Sequence, residues 1–228
     1  MSAGFNPHPD AAMARDSVLS RIRECLSDVP TTEKPEDVPV PRDYRRVETA
    51  PRSEILELFV ERVVDYKAIV TRVPLSALPA AIAEKCAARG VNRLVVPADL
   101  PENWAPKGLT LLRDPGLNID QLESSDGVLT GCAIGIAQTG TIVLDAGPAQ
   151  GRRVLTLLPD YHLCVVNEDQ VVGLVPEAVA KLGSVMSGPG RPVTLISGPS
   201  ATSDIELNRV EGVHGPRTLE VLLVRADG

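Results

Sequence analysis

The sequence predicts an α/β protein built on a mostly parallel sheet with helices on both faces. Two observations carry this prediction. From about residue 51 onward, amphipathic segments of helical period alternate with short runs of β-branched and apolar residues of strand length. Glycine and proline punctuate the junctions, as is typical between the elements of βαβ units. The order in which helices and strands alternate determines the predicted fold class, and the exact residues at which each segment begins and ends matter less.

Apolar stripes and capping residues mark the helices. We expect one helix from Ser53, as its cap, to about Tyr66, a second over 76–89 closed by Gly90, a brief one capped by Asn118, and one from Pro176 to about Leu182. Strands are predicted at 66–73, 91–96, 109–112, 128–137, 142–144, 161–167, 192–196 and 218–225. Trp104 is predicted to be a packing residue, and His162 a structural histidine with its hydrogen bonds satisfied.

Residues 1–50 precede this pattern and form a predicted N-terminal helical arm. A helix at about 11–26 has apolar residues at i, i+3, i+4 and i+7. The stretch 29–51 carries Pro30, Pro35, Pro39 and Pro41, which predict an extended linker. The α/β domain then occupies 51–228. Because a helix on such a linker packs either on its own domain or on a second copy, the arm is a candidate element for homo-oligomerisation.

Composition argues against several classes of function. The net charge of −7, with two Phe, three Tyr and one Trp, disfavours a nucleic-acid surface. The sequence has no apolar run of about 18 residues and no signal-peptide pattern, so we expect no membrane span and a cytoplasmic location. Four scattered cysteines, without a C-x-x-C pair, indicate neither a metal site nor an iron–sulfur cluster in this chain. They are interpreted as small core residues or free thiols.

The chemistry-bearing residues concentrate at 195–217. A predicted strand stops at Ser197-Gly198-Pro199, and hydroxyl residues and acids that favour the first turn of a helix follow. At the carboxyl end of a strand in an open α/β sheet, such a junction offers N–H groups and hydroxyls to an anion. His214 adds a group that titrates near neutrality, and Arg217 adds a bidentate anion ligand. The alternative is a structural turn, with His214 bonded to a carbonyl and Arg217 paired with Asp204, Glu206 or Glu211.

A second polar motif, Thr139-Gly140-Thr141, interrupts a β-branched run. Gly140 is expected to supply the unusual dihedral of a turn or bulge, and the threonine hydroxyls to face the same cleft as residues 197–202. The alternative is a hairpin whose threonines reflect β propensity alone. Downstream, Arg152 and Arg153 either contribute to an anion site or stay solvated.

Two motifs in this order resemble those of a known family. I-S-G-P-S-A-T-S-D-I-E at 196–206, G-V-H-G-P-R at 212–217 and a closing L-E-V-L-L-V strand are similar to the LUD-domain family, in particular its lactate-utilization members. A-Q-T-G-T at 137–141 resembles the family's A-E-T-G-T, with Gln138 in place of the commoner acid. Any catalytic or metal-binding role of that acid in relatives would be missing here. The resemblance covers about residues 51–225.

The resemblance implies a fold of the NagB/RpiA/CoA-transferase type and a part in oxidising L-lactate to pyruvate for use as a carbon source. It implies an accessory subunit beside two iron–sulfur partners, with no cofactor of its own. Arg217 would hold the carboxylate of a small anion such as lactate, and His214 would relay a proton. The full set of expected ligand-binding residues is Thr139, Gly140, Thr141, Ser197, Gly198, Ser200, Thr202 and Arg217.

Two other functions fit the same residues. One is an independent enzyme of this fold that acts on a phosphorylated sugar, a CoA or a folate-like substrate. Its catalytic acid–base groups would be His214, Glu206 and Asp204, although the sequence shows no clear pair of catalytic carboxylates. The other is a non-catalytic interaction or regulatory module whose loops dock partner subunits.

Overall fold

The computed structural model describes residues 9–30, 32, 34, 36, 39–186, 190–199 and 215–227. The chain falls into two compact units, Met1–Tyr44 and Arg45–Gly228. The first contains helix α1 (Pro9–Cys25), on which Met13, Val18 and Ile22 are exposed. None of the described helices has both the length and the apolar character needed to cross a membrane.

The second unit contains four further helices and ten strands within its described residues. The helices are α2 (Arg52–Asp65), α3 (Leu78–Ala88), α4 (Ile119–Glu123) and α5 (Val175–Met186). The strands are β1 (Ile69–Pro74), β2 (Arg93–Val96), β3 (Thr110–Arg113), β4 (Gly127–Thr130), β5 (Ile134–Ile136), β6 (Thr141–Leu144), β7 (Tyr161–Asn167), β8 (Val171–Val172), β9 (Thr194–Ile196) and β10 (Thr218–Arg225).

Six strands form the central sheet in the order β1-β10-β7-β4-β2-β3, and every neighbouring pair is parallel. Successive side chains of a strand point to opposite faces, so β7 and β10 supply apolar residues to both. On one face, α3 packs its buried side chains against Leu163, Val165 and Leu222. On the other, α2 packs against Cys164, Val166 and Val221. The predicted α/β class, with helices on both faces of a mostly parallel sheet, is confirmed.

The remaining four strands form a smaller sheet in the order β8-β5-β6-β9. Strands β5 and β6 form an antiparallel hairpin, and β9 pairs antiparallel with the other side of β6. One side of this sheet, including Ile142 and Leu144, joins the core formed with α2 and the central sheet. Its other side, including Ile136 and Val143, is covered by α5. We call it the small sheet.

Several local predictions are confirmed. Asn118 caps α4 with a capping box. The Asn118 side chain accepts from the backbone N–H of Gln121, and the Gln121 side chain accepts from the backbone N–H of Asn118. His162 is buried and hydrogen-bonded to Thr130. Trp104 is buried in the core on the α3 side of the sheet. Trp104 is a packing residue and His162 a hydrogen-bonded structural histidine, as expected.

Other local predictions are wrong. The predicted strand 128–137 is two strands in different sheets, because the chain leaves the central sheet after Thr130. Ser53 does not cap α2, since the helix already begins at Arg52 and the capping position belongs to Pro51. Strand β8 was not predicted, because a two-residue strand has too short a pattern to detect.

Candidate functional site

Three hydroxyl side chains from the two sequence motifs meet at one end of the β6–β9 pair. Thr141 Oγ1 lies 2.7 Å from Thr139 Oγ1 and 2.8 Å from Ser197 Oγ. The antiparallel register, which pairs Ile142 with Ile196, places Thr141 beside Ser197. Thr141 is buried and Ser197 is partly buried. We call these three residues the hydroxyl cluster; the structure brings them together as the sequence predicted.

The position of the Ser197-Gly198-Pro199 turn differs from the prediction. It follows β9, an edge strand of the small sheet that runs antiparallel to its neighbour. It therefore does not lie at the carboxyl end of a strand in the parallel sheet. The pattern of a β-branched run and a turn carries no information about which sheet the strand joins. Gly198 itself is buried and has a positive φ of 86°.

Gly140 has a structural reason to be glycine. Its φ is +57°, the left-handed region that the sequence predicted for this turn. A Cβ at this position would lie 2.6 Å from the carbonyl carbon of Arg62 and 2.7 Å from its oxygen. The turn is therefore packed directly on the backbone of α2, near the end of that helix.

Gln138 contacts the start of α5. Its backbone N–H donates to the carbonyl of Gly173 at 2.9 Å, and its side-chain oxygen accepts from the backbone N–H of Val175 at 3.5 Å. Val175 is the first residue of α5, so this side chain helps to satisfy a free N–H at a helix N-terminus. A carboxylate at this position could accept the same bond.

Arg217 lies at the surface immediately before β10. Its guanidinium is 3.3 Å from a carboxylate oxygen of Asp160, and both side chains are about two-thirds exposed. Neither sequence interpretation had named Asp160 as its partner. The other predicted residues of this segment, Ser200, Thr202, Asp204, Glu206 and His214, lie outside the described residues.

Comparison with known proteins identifies the family. The LUD domain model matches residues 56–224. The chain belongs to the LUD-domain family. This LUD protein is 45% identical to "Lactate utilization protein C" of Deinococcus radiodurans over 95% of its own length and 98% of that protein. It is 30% identical to "Lactate utilization protein C" of Geobacillus kaustophilus over 64% of its length and 68% of that protein.

A solved structure supports the same assignment. The crystal structure of a DUF162 family protein from Deinococcus radiodurans superimposes with a TM-score of 0.68 and 43% sequence identity. The match covers 78% of this LUD protein and all of that chain.

A second polar site of this LUD protein involves two adjacent arginines. Arg152 binds the buried carboxylate of Asp114 bidentately, at 2.8 and 2.7 Å, and donates to the Leu117 carbonyl at 2.6 Å. Arg153 is half-buried and donates to the carbonyl and hydroxyl oxygens of Thr156. Burial lowers the pKa of Arg153. Both arginines line a cleft together with Thr156 and residues of β6 and β9.

The cleft and the hydroxyl cluster lie at opposite ends of β6. Leu144 lines the cleft, whereas Thr141 belongs to the hydroxyl cluster. Thr141 and Leu144 are three positions apart along the strand, which corresponds to about 10 Å. A molecule as small as lactate cannot contact both places at once.

Sequence analysis missed two buried carboxylates of this LUD protein. Asp145 accepts from the Gln150 side chain at 2.8 Å and pairs with Arg191 at 2.9 Å. Glu220, on β10, accepts from Lys85 at 3.0 Å and Arg89 at 3.1 Å. Two signals were available: the acid inside the apolar L-E-V-L-L-V strand, and two basic residues four apart at the C-terminal end of α3, Lys85 in the helix and Arg89 at its cap.

Tyr161 also donates to Glu220, at 3.1 Å. Burial raises the pKa of Tyr161, and the charge of Glu220 adds to this effect. Because the partners of Glu220 are two cations and a phenol hydroxyl, the cluster is best explained as a structural ion network. Within the described residues, no group of three or more His, Cys, Asp or Glu side chains is arranged to hold a metal ion.

Proposed function

We propose that this LUD protein is an accessory subunit of a cytoplasmic L-lactate-oxidising system, acting beside two iron–sulfur partners in the use of lactate as a carbon source. The observation that carries the proposal is its similarity, over nearly the whole of both chains, to a protein named for lactate utilization. The scattered cysteines support placing the iron–sulfur clusters on the partners, with no cofactor in this chain.

Two experiments test this role. Deleting the gene should abolish growth on L-lactate and leave growth on pyruvate unchanged. Purifying the tagged protein from its host grown on L-lactate should recover two cysteine-rich iron–sulfur proteins in comparable amounts. Normal growth of the deletion strain on L-lactate would overturn the role, and recovery of the chain alone would overturn the complex.

The ligand we propose is a small carboxylate anion, lactate or pyruvate, held by the hydroxyl cluster, Gly140 and Gly198 together with Ser200, Thr202 and Arg217. Hydroxyls and backbone N–H groups suit carboxylate oxygens, and a guanidinium binds them bidentately. The ion pair of Arg217 with Asp160 is exposed, so breaking it costs only about 0–1 kcal/mol. His214 is the proposed proton relay, with Glu206 and Asp204 as acid–base groups.

Calorimetric titration with L-lactate and with pyruvate tests the ligand and its place. Arg217→Ala should weaken binding about tenfold or more, because a charge-assisted hydrogen bond contributes about 1.5–3 kcal/mol. Arg93→Ala is the matched control, since Arg93 is exposed on another part of the domain. If Arg153→Ala weakens binding and Arg217→Ala does not, the ligand binds in the cleft lined by Arg153 instead. Unchanged affinity in both variants would remove the proposed anion site.

We also propose that the N-terminal unit contributes to self-association. Its helix α1 exposes Val18 and Ile22, which lie on one stripe. Deleting residues 1–44 should halve the mass measured by light scattering if α1 joins two copies. An unchanged mass would exclude the arm as the dimerisation element.

A further inference from the structure

Two buried cysteines lie in the core between the central sheet and the small sheet. Cys164 is fully buried in β7, and Cys132 is buried in the linker that joins β4 to β5. In the parallel register, Cys164 lies opposite Thr130, and Cys132 follows Thr130 by two residues. Both cysteines belong to one apolar core cluster, and Cys164 Sγ lies 3.8 Å from the carbonyl oxygen of Gly131, whose carbonyl carbon is bonded to the backbone nitrogen of Cys132. The fold therefore brings these two cysteines together although 31 residues separate them in the chain.

Hydrogen bonds fix the surroundings of both sulfurs. Cys132 Sγ donates to the side-chain oxygen of Gln170 at 3.7 Å, and the Gln170 amide donates back to the Cys132 carbonyl at 2.7 Å. Cys164 Sγ donates to the Gly131 carbonyl at 3.8 Å. Gln170 therefore holds Cys132 at both its side chain and its backbone, which positions this thiol beside Cys164.

A histidine completes the cluster. His162 precedes Cys164 by two residues on β7, so their side chains share a face of the sheet. His162 Nε2 lies 2.7 Å from Thr130 Oγ1, and all of these groups are buried. We call Thr130, Cys132, His162 and Cys164 the thiol cluster.

The electrostatic environment makes the two sulfurs unequal. The neighbouring Cys132 side chain is the largest cause that lowers the pKa of Cys164, and His162 and Thr130 act in the same direction. The Cys164 side chain is in turn the largest cause that raises the pKa of Cys132, and burial acts in the same direction. Cys86 shows the effect of burial without such donors, because burial and the charge of Glu220 raise its pKa to about 11. The lower pKa favours Cys164 as the attacking sulfur, because the thiolate is the nucleophilic form, and leaves Cys132 as the thiol that resolves it.

We propose that Cys132 and Cys164 are a redox-active pair that forms a reversible disulfide when the protein reacts with a hydroperoxide. The Cys164 sulfur attacks the O–O bond of hydrogen peroxide, which gives a Cys164 sulfenic acid and one water. The Cys132 sulfur then displaces the sulfenic hydroxyl, which takes up the Cys132 proton and leaves as a second water. Two thiols are oxidised and one peroxide is reduced. The new bond ties the linker between the sheets to β7.

Thiol counting in the folded full-length chain tests the proposal. A Cys25→Ser background removes the one exposed cysteine and leaves three. After treatment with hydrogen peroxide, denaturation and alkylation, intact mass should show two of these thiols lost without added oxygen, and peptide mapping should find Cys132 linked to Cys164. Dithiothreitol should restore both thiols.

Matched variants make the test specific. Cys86→Ser in the same background should still lose two thiols, because Cys86 lies in the other core, on the α3 side of the central sheet. Cys132→Ser should accumulate oxygen on Cys164 instead of a disulfide. Full alkylation of both Cys132 and Cys164 after oxidation of the folded protein would overturn the proposal. So would irreversible oxygen addition to Cys164 while Cys132 is intact.

Discussion

Replacing Gly140 by alanine tests whether this residue is needed for packing. At a φ of +57°, the left-handed backbone costs an alanine about 1–2 kcal/mol. The added Cβ would also lie 2.6–2.8 Å from the backbone and Cβ of Arg62. Because the helix backbone cannot turn aside as a flexible side chain would, this overpacking adds about 1–3 kcal/mol. We expect Gly140→Ala to lower the free energy of unfolding by about 2–5 kcal/mol in total.

Two other glycines separate the contributions. Gly90 has a φ of +68° and open space around its Cβ position, so Gly90→Ala isolates the backbone cost of about 1–2 kcal/mol. Gly183 lies within α5 and also has open space, so Gly183→Ala should stabilise by about 0.5–1 kcal/mol. Urea unfolding followed by circular dichroism measures all three. A Gly140→Ala cost no larger than that of Gly90→Ala would refute the packing explanation.

Three further substitutions test the ion networks and the buried thiol. Glu220→Gln should cost about 2–3 kcal/mol in urea unfolding, because Lys85 and Arg89 lose a buried anion, whereas Glu57→Gln at the surface should stay within about 1 kcal/mol. Asp114→Asn should cost about 1–2 kcal/mol by weakening a bidentate bond, and an unchanged melting temperature would show that the bond contributes nothing. The folded pKa of Cys86 is raised from about 9 to about 11, so its contribution to stability is complete below about pH 9 and is lost as the pH rises toward 11. Cys86→Ala should flatten that loss by up to about 3 kcal/mol, as measured by urea unfolding at each pH.

Much of the fold was predictable because the central elements carry local signals. The stripe of α2 and the long apolar runs of β7 and β10 identify themselves by period and composition. The capping box of α4 is also local, since its two partners lie three residues apart. Such features need no knowledge of what the segment packs against.

The division of the strands between two sheets was not predictable, because it depends on distant contacts. The run after Gly127 reads as one continuous apolar segment, yet it leaves the central sheet where Gly131 meets the Trp104 ring. Likewise, β9 joins the small sheet through β6, about 50 residues earlier in the chain. The pairing of Arg217 with Asp160 is non-local in the same way.

The two sequence motifs occur together for a physical reason that does not require a ligand. Thr139-Gly140-Thr141 opens β6 and Ser197 follows β9, so the pairing of these strands alone brings their hydroxyls into contact. A bound anion would require the same residues for a second reason, because their hydroxyls would also donate hydrogen bonds to it. The resemblance of the motifs to those of a family cannot separate the two explanations, since both need hydroxyls at these positions.

Thr141→Val separates them, because it keeps the shape of the side chain and removes the hydroxyl that contacts both Thr139 and Ser197. A structural role predicts a loss of about 1–2 kcal/mol in unfolding free energy, since two partly buried hydroxyls lose the hydrogen bond that Thr141 provides. A ligand role predicts, in addition, that the folded protein binds L-lactate or pyruvate more weakly. The affinity is therefore measured under conditions in which the variant remains folded. Thr110→Val, at the exposed start of β3, controls for the change in β propensity. A Thr141→Val protein with lowered stability and full affinity would assign the hydroxyl cluster to the fold, and the anion would then have to bind elsewhere.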